Sequence, residues 1–209
     1  MTLEQEVKLA VNGGEVLDLS SLAWLSPYIQ SKRSFHLISH YFDTPELLLL
    51  QQGVGLRRRF DGKQWFQTVK ESGHAQQGLH QRREWECRLD NDAFDLKHLH
   101  QTPLTTLFED ENKWQQITVI FTTDFQREVM LLAIEGGLEI ELAYDRGVVY
   151  TDDSQSPIHE VELELNSGSV EQLQTVAIQL QQTMPVEPSD ISKAQRGYQL
   201  LKEVSSAGK

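Results

Sequence analysis

The chain has little cysteine and little positive charge. Cys87 is the single cysteine, so an intramolecular disulfide is excluded and a reducing, cytoplasmic location is expected. The sequence has no apolar run as long as a membrane span, and its first residues lack an apolar signal-peptide core. Nineteen lysines and arginines stand against 31 aspartates and glutamates, giving a formal net charge of −12. This balance argues against broad binding to nucleic acid or to an anionic membrane.

Several common catalytic motifs are also missing. The seven histidines show no metal-ligand spacing. There is no Gly-x-Ser-x-Gly nucleophile motif, no Walker A sequence and no Gly-x-Gly-x-x-Gly. Nothing therefore indicates serine nucleophile chemistry, a P-loop or a dinucleotide-binding unit.

What the chain does have is strands that are charged on one face. In the first strand, 3–9, alternation places Glu4, Glu6 and Lys8 together and apolar residues opposite. One such strand is usually a solvated face, but the runs 139–142 and 160–165 repeat the pattern. The candidate metal ligands are Glu4, Glu6, Glu139, Glu141, Glu160, Glu162 and Glu164.

Cations occur at the same spacing in other strands. Arg57 and Arg59 alternate in one strand, and Arg82 lies in another beside Glu84 and Glu86. Clustered glutamates repel one another unless a cation is present, and hard divalent cations such as Mg²⁺ or Mn²⁺ take oxygen ligands. Guanidinium and ammonium groups suit phosphate. The combination predicts a metal site beside a polyphosphate site, with Glu84 and Glu86 holding the basic residues in position.

Many strands joined by short turns predict an α+β fold, a closed antiparallel β-barrel with a polar lumen and flanking helices. The predicted strands are 3–11, 39–42, 55–60, 63–70, 79–89, 117–122, 125–134, 138–145, 148–151 and 159–165. Apolar spacing predicts a helix over 17–30 that is bent at Pro27, and a short helix over 46–52. The segment 91–107 is predicted to be helical or irregular.

The C-terminal part is predicted to hold two helices. Ser169 to Gln172 and Ser192 to Gln195 both fit the capping-box pattern. We expect a single domain over 1–203 and a disordered tail over 204–209.

The motifs resemble those of CYTH domains, the triphosphate tunnel metalloenzymes. Glu4-x-Glu6-x-Lys8 is similar to the family signature, and eight further blocks follow in order from Tyr41 to Tyr198. These blocks are 41–45, 55–59, 68–70, 78–82, 125–128, 140–147, 160–165 and 192–198. The resemblance implies an eight-stranded tunnel and a divalent metal. It also implies that such chains often continue into a helical CHAD domain, so either this protein lacks one or the sequence stops short of it.

The resemblance also implies roles for individual residues. The implied phosphate-binding residues are Lys8, Arg57, Arg59, Lys70, Arg82, Arg127, Lys193 and Arg196, and the implied catalytic residues are Glu4, Glu6, Lys8 and Lys193. Arg127 could instead form a structural ion pair, and Asp145 could reach a cation or cap a turn.

The expected activity is metal-dependent hydrolysis of inorganic tripolyphosphate to pyrophosphate and phosphate, as the resemblance to the bacterial branch of the family implies. The alternatives are a class IV adenylyl cyclase, a thiamine triphosphatase, or a non-catalytic polyphosphate- or nucleotide-binding module. Formation of cyclic AMP would identify the cyclase. Metal-dependent binding without phosphate release would identify the binding module.

Overall fold

Ten antiparallel strands form one sheet in the computed structural model, which describes residues 1–108 and 110–207. The strands are β1 (Thr2–Val11), β2 (Ile29–Asp43), β3 (Val54–Phe60), β4 (Trp65–Glu71), β5 (His74–Gln76), β6 (Leu79–Leu89), β7 (Thr118–Ile134), β8 (Leu138–Tyr150), β9 (Gln155–Ser167) and β10 (Val186–Pro188). Most follow one another through short turns, such as the Asp61-Gly62 turn between β3 and β4. That turn joins the predicted strands 55–60 and 63–70 as antiparallel neighbours.

Eight of these strands close into a barrel. Their order is β1-β9-β8-β7-β2-β3-β4-β6, and β6 pairs back onto β1 through Glu4 opposite Arg82. The short strands β5 and β10 extend the wall by pairing with β6 and β1. Closure leaves none of the eight strands with a free edge. The predicted closed barrel is therefore confirmed.

The helices are α1 (Leu48–Gln51), α2 (Leu96–Leu99), α3 (Thr105–Phe108), α4 (Glu111–Trp114), α5 (Val170–Thr183) and α6 (Lys193–Ala207). Both predicted capping boxes are present, because Ser169 and Ser192 each exchange hydrogen bonds with the glutamine three residues later. No helix in the described part of the chain is long and apolar enough to cross a membrane. The single domain over 1–203 stays a prediction, as does the tail over 204–209, of which 208–209 lie outside the described residues.

Apolar packing covers the outside of the barrel. Helix α5 buries Leu173, Val176, Ala177 and Leu180 against outward residues of β1, β8 and β9, as its spacing predicts. These residues belong to a first apolar cluster. A second apolar cluster lies under α2 and α3, against β3, β4 and β6. Helix α6 instead packs near one end of the barrel, where Tyr198 joins a third cluster with Phe121 and Phe125. The charged faces are left for the interior.

The predicted helix over 17–30 is wrong. The segment forms two single 3₁₀ turns, Leu19–Ser21 and Ser26–Tyr28, and β2 already begins at Ile29 rather than at Ser39. Leu17, Leu19 and Leu25 are each buried separately in the apolar cluster that α5 covers. Single anchors of this kind imitate helical spacing without a continuous helical backbone.

Two predicted strand breaks are also absent. The segments around 123–124 and 146–147 continue without interruption as β7 and β8. Gly147 belongs to the ladder because the neighbouring strand approaches closely: a Cβ there would lie 2.1 Å from the carbonyl oxygen of Asp124. The glycine marks close backbone approach, not a turn.

Candidate active site

Two neighbouring cavities in the barrel share part of their walls. The upper cavity, of about 380 Å³, is lined by charged residues of β1, β3, β4, β6, β8 and β9 and by the first turn of α6. The lower cavity, of about 340 Å³, is lined mainly by β2, β7 and the β3–β4 hairpin. Arg59, Glu86, Arg127 and Glu141 line both. Together the cavities form the polar lumen that the strand alternation predicts.

Four glutamates form the first acidic group, in the upper cavity. Glu6 is paired with Glu164 across β1 and β9, and Glu164 with Glu141 across β9 and β8. Directly opposed residues bring their side chains together, and Glu4 extends the row along β1. Burial and the nearby Glu4 carboxylate raise the pKa of Glu164 to about 7. The charged form of Glu164 is therefore disfavoured unless a cation lies close to it.

Glu4 itself is held by two cations. It accepts hydrogen bonds from Lys70 at 2.7 Å and from Arg82 at 2.5 Å, and Arg82 also reaches Glu6 at 3.1 Å. Burial would raise the pKa of Glu4, but the charges of Lys70 and Arg82 outweigh it and lower that pKa. Glu4 is therefore anionic across the ordinary pH range.

The second acidic group consists of Asp145, Glu160 and Glu162, all buried, whose oxygens lie within 4.8 Å of one another. Lys193 bridges all three, at 2.6, 2.5 and 2.9 Å respectively. Lys8 contacts Glu160 at 3.1 Å and also contacts Glu162. Burial would lower the pKa of Lys8, but the glutamates outweigh it and raise that pKa. Lys8 therefore stays protonated.

Asp145 lies in the candidate site, although the sequence gave it only an open choice between reaching a cation and capping a turn. It is fully buried and accepts two hydrogen bonds of 2.7 Å from Arg127, which also contacts Glu162. Arg127 thus forms the structural ion pair considered as its alternative role, while it still lines the lumen. The available signal was that Asp145 shares strand parity with Glu141 on β8.

Arg57 and Lys70, on the basic wall of the upper cavity formed by Arg57, Lys70 and Arg82, each lie next to an acidic residue. Glu84 lies 3.1 Å from Lys70, and Glu86 lies 3.7 Å from Arg57. Arg57 also donates to Thr68 Oγ1 at 3.1 Å. These contacts agree with the predicted holding role of Glu84 and Glu86.

Arg59 differs from the other lumen cations. Its Nε donates to Ser39 Oγ at 3.1 Å, and within the described residues it forms no ion pair with a carboxylate. Burial lowers the pKa of Arg59 to about 10, helped by the like charges of Arg57 and Arg127. Arg59 lines both cavities, and Glu86, which lines them too, acts on it with opposite charge without forming an ion pair.

Tyr41 was not selected from the sequence, although it shares parity with Ser39. It is buried, lines the upper cavity and stacks on Phe121. Burial would raise the pKa of Tyr41, but Arg57 and Arg59 outweigh it and lower that pKa. Its hydroxyl therefore belongs to the cationic side of the lumen.

Two predicted site residues lie apart from the lumen. Glu139 is exposed and lines neither cavity; it is the second residue of β8 and so lies at the end of the strand, beyond Glu141. Its proposed role as a metal ligand is not supported by this position. Arg196 donates to the Pro157 carbonyl at 2.5 Å and to Glu160 at 3.2 Å, so it supports the second acidic group from behind.

The donor chemistry fits a hard divalent cation. Both acidic groups offer carboxylate oxygens only, as such cations require. In the second group Lys193 and Lys8 already supply positive charge. In the first group burial, together with the nearby Glu4 carboxylate, raises the pKa of Glu164, and a cation there would favour its charged form. Glu4 and Glu6 in this group are paired with Arg82, whereas Glu141 and Glu164 form no ion pair with another described residue.

An eight-stranded antiparallel tunnel with facing acidic and basic walls defines the class of fold. The family model of the CYTH domain matches residues 2–198, and the chain belongs to this family. Membership implies a divalent metal.

One curated relative and several solved structures are similar to the chain. The inorganic triphosphatase of Haemophilus influenzae is 31% identical over 212 residues, which cover 96% of this chain and 55% of the relative. The chain thus spans about half the length of that relative.

Among solved structures, a proposed adenylyl cyclase from Hippeastrum described as having a dominant triphosphatase activity has a TM-score of 0.62 at 19% identity, covering 91% of this chain and 92% of that one. The PH1819 protein of Pyrococcus horikoshii has a TM-score of 0.53 at 14% identity, covering 95% and 99%. At these identities the structures support the fold alone.

Proposed function

We propose that this protein is an inorganic triphosphatase that uses Mg²⁺ or Mn²⁺ to hydrolyse tripolyphosphate to pyrophosphate and phosphate. The observation that carries the proposal is the upper cavity, where Arg57, Lys70 and Arg82 face a row of glutamates. The similarity to the Haemophilus influenzae enzyme supports the same reaction. The single cysteine supports a cytoplasmic location.

The basic wall would bind and orient the phosphates. Guanidinium groups form paired hydrogen bonds with phosphoryl oxygens, and Lys70 adds a point charge. Positioning and electrostatic stabilisation account for most of the catalysis in phosphoryl transfer. Arg57 and Arg59 would contribute through charge that is held in place before substrate arrives.

Metal binding would fall to the first acidic group, Glu4, Glu6, Glu141 and Glu164, with Glu160 and Glu162 held next to it by Lys8 and Lys193. When bound, a divalent cation neutralises phosphoryl oxygens and acidifies a water molecule. Lys8 stays protonated in its buried ion pairs, so it supplies charge and does not act as a base. The reaction needs no covalent intermediate on the chain, because water can attack the phosphorus directly.

The test is phosphate release from tripolyphosphate, ATP and thiamine triphosphate, each with Mg²⁺ and with Mn²⁺, with cyclic AMP measured in the ATP reactions. We expect turnover of tripolyphosphate. Formation of cyclic AMP would instead assign the protein to the cyclase branch. Both activities are measured because the similar Hippeastrum structure is described as a proposed adenylyl cyclase with a dominant triphosphatase activity. Metal-dependent binding without release of any phosphate would leave a binding module.

The metal role is tested by replacing Glu4 and Glu6 together with glutamine, which keeps the shape and removes two charges. We expect turnover to fall at least about a hundredfold, as for loss of an essential electrostatic group, with an unchanged circular dichroism spectrum. Glu139→Gln is the matched control because Glu139 is exposed. Normal turnover in the double variant would refute the proposed metal site.

A further inference from the structure

One buried carboxylate belongs to neither acidic group. Asp43, the last residue of β2, has no exposed surface, and its four hydrogen-bond partners are all neutral groups. It accepts from the backbone N–H groups of Thr44 at 2.8 Å, Leu49 at 2.8 Å and Leu50 at 3.0 Å. The fourth hydrogen bond, of 2.9 Å, comes from the Tyr198 hydroxyl. A single buried side chain therefore joins the end of β2 to both α1 and α6.

Tyr198 is held against the barrel by packing as well as by this hydrogen bond. Its ring meets Phe121 edge-on, with the ring centroids 5.3 Å apart. The preceding residue, Gly197, lets α6 approach closely, because a Cβ there would lie 2.4 Å from the Phe121 ring. Burial and the Asp43 carboxylate raise the pKa of Tyr198, so its hydroxyl stays protonated and remains a donor. The packing sets how close α6 lies to the barrel, and the directional hydrogen bond sets its rotation.

The first turn of α6 carries Lys193 into the second acidic group. The Lys193 ammonium lies 2.6 Å from Asp145, 2.5 Å from Glu160 and 2.9 Å from Glu162. Tyr198 follows five residues later, which is about 7.5 Å along the helix axis. Hydrogen-bonded groups lie about 2.7–3.2 Å apart, so a shift of α6 by about 1 Å would break these contacts. The position of the ammonium group therefore depends on what holds the helix.

We propose that Asp43 and Tyr198 are positioning residues for the candidate active site. Their hydrogen bond fixes α6 so that Lys193 stays among the three carboxylates. Asp43 lines neither cavity, so it acts on the site only through the helix. The consequence for turnover rests on the proposed triphosphatase function, in which Lys193 is an implied catalytic residue, whereas the placement of Lys193 does not depend on that function.

The placement is tested with Tyr198→Phe, which removes the hydroxyl and keeps the ring. Its effect on Tm is measured with EDTA present at neutral pH, in the wild type and in the Lys193→Met variant. We expect a loss of about 2–4 °C in the wild type and less than about half of that in Lys193→Met, because residues of one network are coupled. Tyr150→Phe is the matched control, since Tyr150 is exposed on β8 and should leave Tm unchanged in both backgrounds. Equal losses from Tyr198→Phe in the two backgrounds would show that the hydrogen bond acts independently of Lys193 and would overturn the proposal.

The consequence for turnover is tested with tripolyphosphate and Mg²⁺ at a temperature where every variant is fully folded. Tyr198→Phe should lower kcat/KM at least about fivefold, mainly through kcat, because a misplaced catalytic group loses contacts made in the transition state. Tyr150→Phe should keep the wild-type kinetics. An unchanged kcat in Tyr198→Phe would overturn the positioning role, since a purely structural contact lowers Tm without changing the turnover of folded molecules. Absence of turnover in the wild type would refute the proposed function instead, and the Tm comparison would still support or overturn the placement of Lys193.

Discussion

Replacing Lys193 with methionine tests the second acidic group most directly. The ammonium group lies 2.6 Å from Asp145, 2.5 Å from Glu160 and 2.9 Å from Glu162, and its side chain is 7% exposed. Methionine keeps the approximate length of the side chain and removes its charge. Three buried carboxylates would then lose a common partner.

The cost can be approximated from the contacts that remain. Removing one partner of a buried ion pair costs about 3–5 kcal/mol. The lower end applies, because Glu160 keeps Lys8 and Asp145 keeps two hydrogen bonds from Arg127. For a protein of this size, about 3 kcal/mol lowers Tm by about 6–12 °C.

The loss should depend on pH. Burial would raise the pKa values of Asp145 and Glu160, but Lys193 and the other cations outweigh it and lower them. Groups with depressed pKa values stabilise the fold above their unfolded values, near pH 4, and lose that effect as the pH falls through the folded values. The difference between wild type and Lys193→Met should therefore be largest near neutral pH and narrow in acid.

The assay is thermal unfolding from about pH 2.5 to pH 8 with EDTA present, so that the range reaches below the unfolded pKa values near pH 4 and no divalent cation replaces the missing charge. Lys202→Met is the matched control, since Lys202 is exposed on the same helix and should change Tm by less than about 2 °C. A Tm for Lys193→Met within that same range at neutral pH would refute the reasoning. An equal loss at all pH values would refute its electrostatic part.

Two further predictions concern the phosphate wall and the barrel. Arg57→Ala should raise the KM for tripolyphosphate about tenfold or more, because charge-assisted contacts are lost. Arg83→Ala, which changes a residue on the outer face, should leave the KM unchanged. Equal KM values for the two variants would contradict the proposed role of Arg57 in phosphate binding. Gly147→Ala should lower Tm by at least about 4 °C, because its Cβ would lie 2.1 Å from the Asp124 carbonyl oxygen. Gly14→Ala, where nothing lies within 4 Å of the added Cβ, is the control, and equal Tm values would contradict the steric argument.

Local patterns predicted the elements that depend on alternation and capping. Glu4, Glu6 and Lys8 share a face because side chains alternate in any strand, and the serine caps of α5 and α6 are recognisable over four residues. The predicted helix over 17–30 is wrong because its apolar spacing does not arise from local structure. Its leucines are buried by separate tertiary contacts, and spacing alone does not distinguish that arrangement from a helical face.

The candidate site was predicted in composition but not in arrangement. The sequence gives no reason to separate Glu139 from Glu141, which share parity on one strand. Only the folded structure shows where the lumen ends along β8, with Glu141 lining the upper cavity and Glu139 exposed at the strand end. Asp145 carried a weak local signal, and its importance follows from the pairing of β8 with β7, which places Arg127 directly opposite.

The sequence by itself determined which charges share a strand face, where the capped helices begin, and that acidic and basic groups would meet in one interior. These properties depend on residues within one or two turns of chain. The tertiary structure decided that Lys193 reaches three carboxylates and that Arg59 forms no ion pair with another described residue. It also decided that Arg59, Glu86, Arg127 and Glu141 line both cavities of the lumen. Those outcomes depend on ladder register and barrel closure, which join residues far apart in sequence and are fixed only when all eight strands pair.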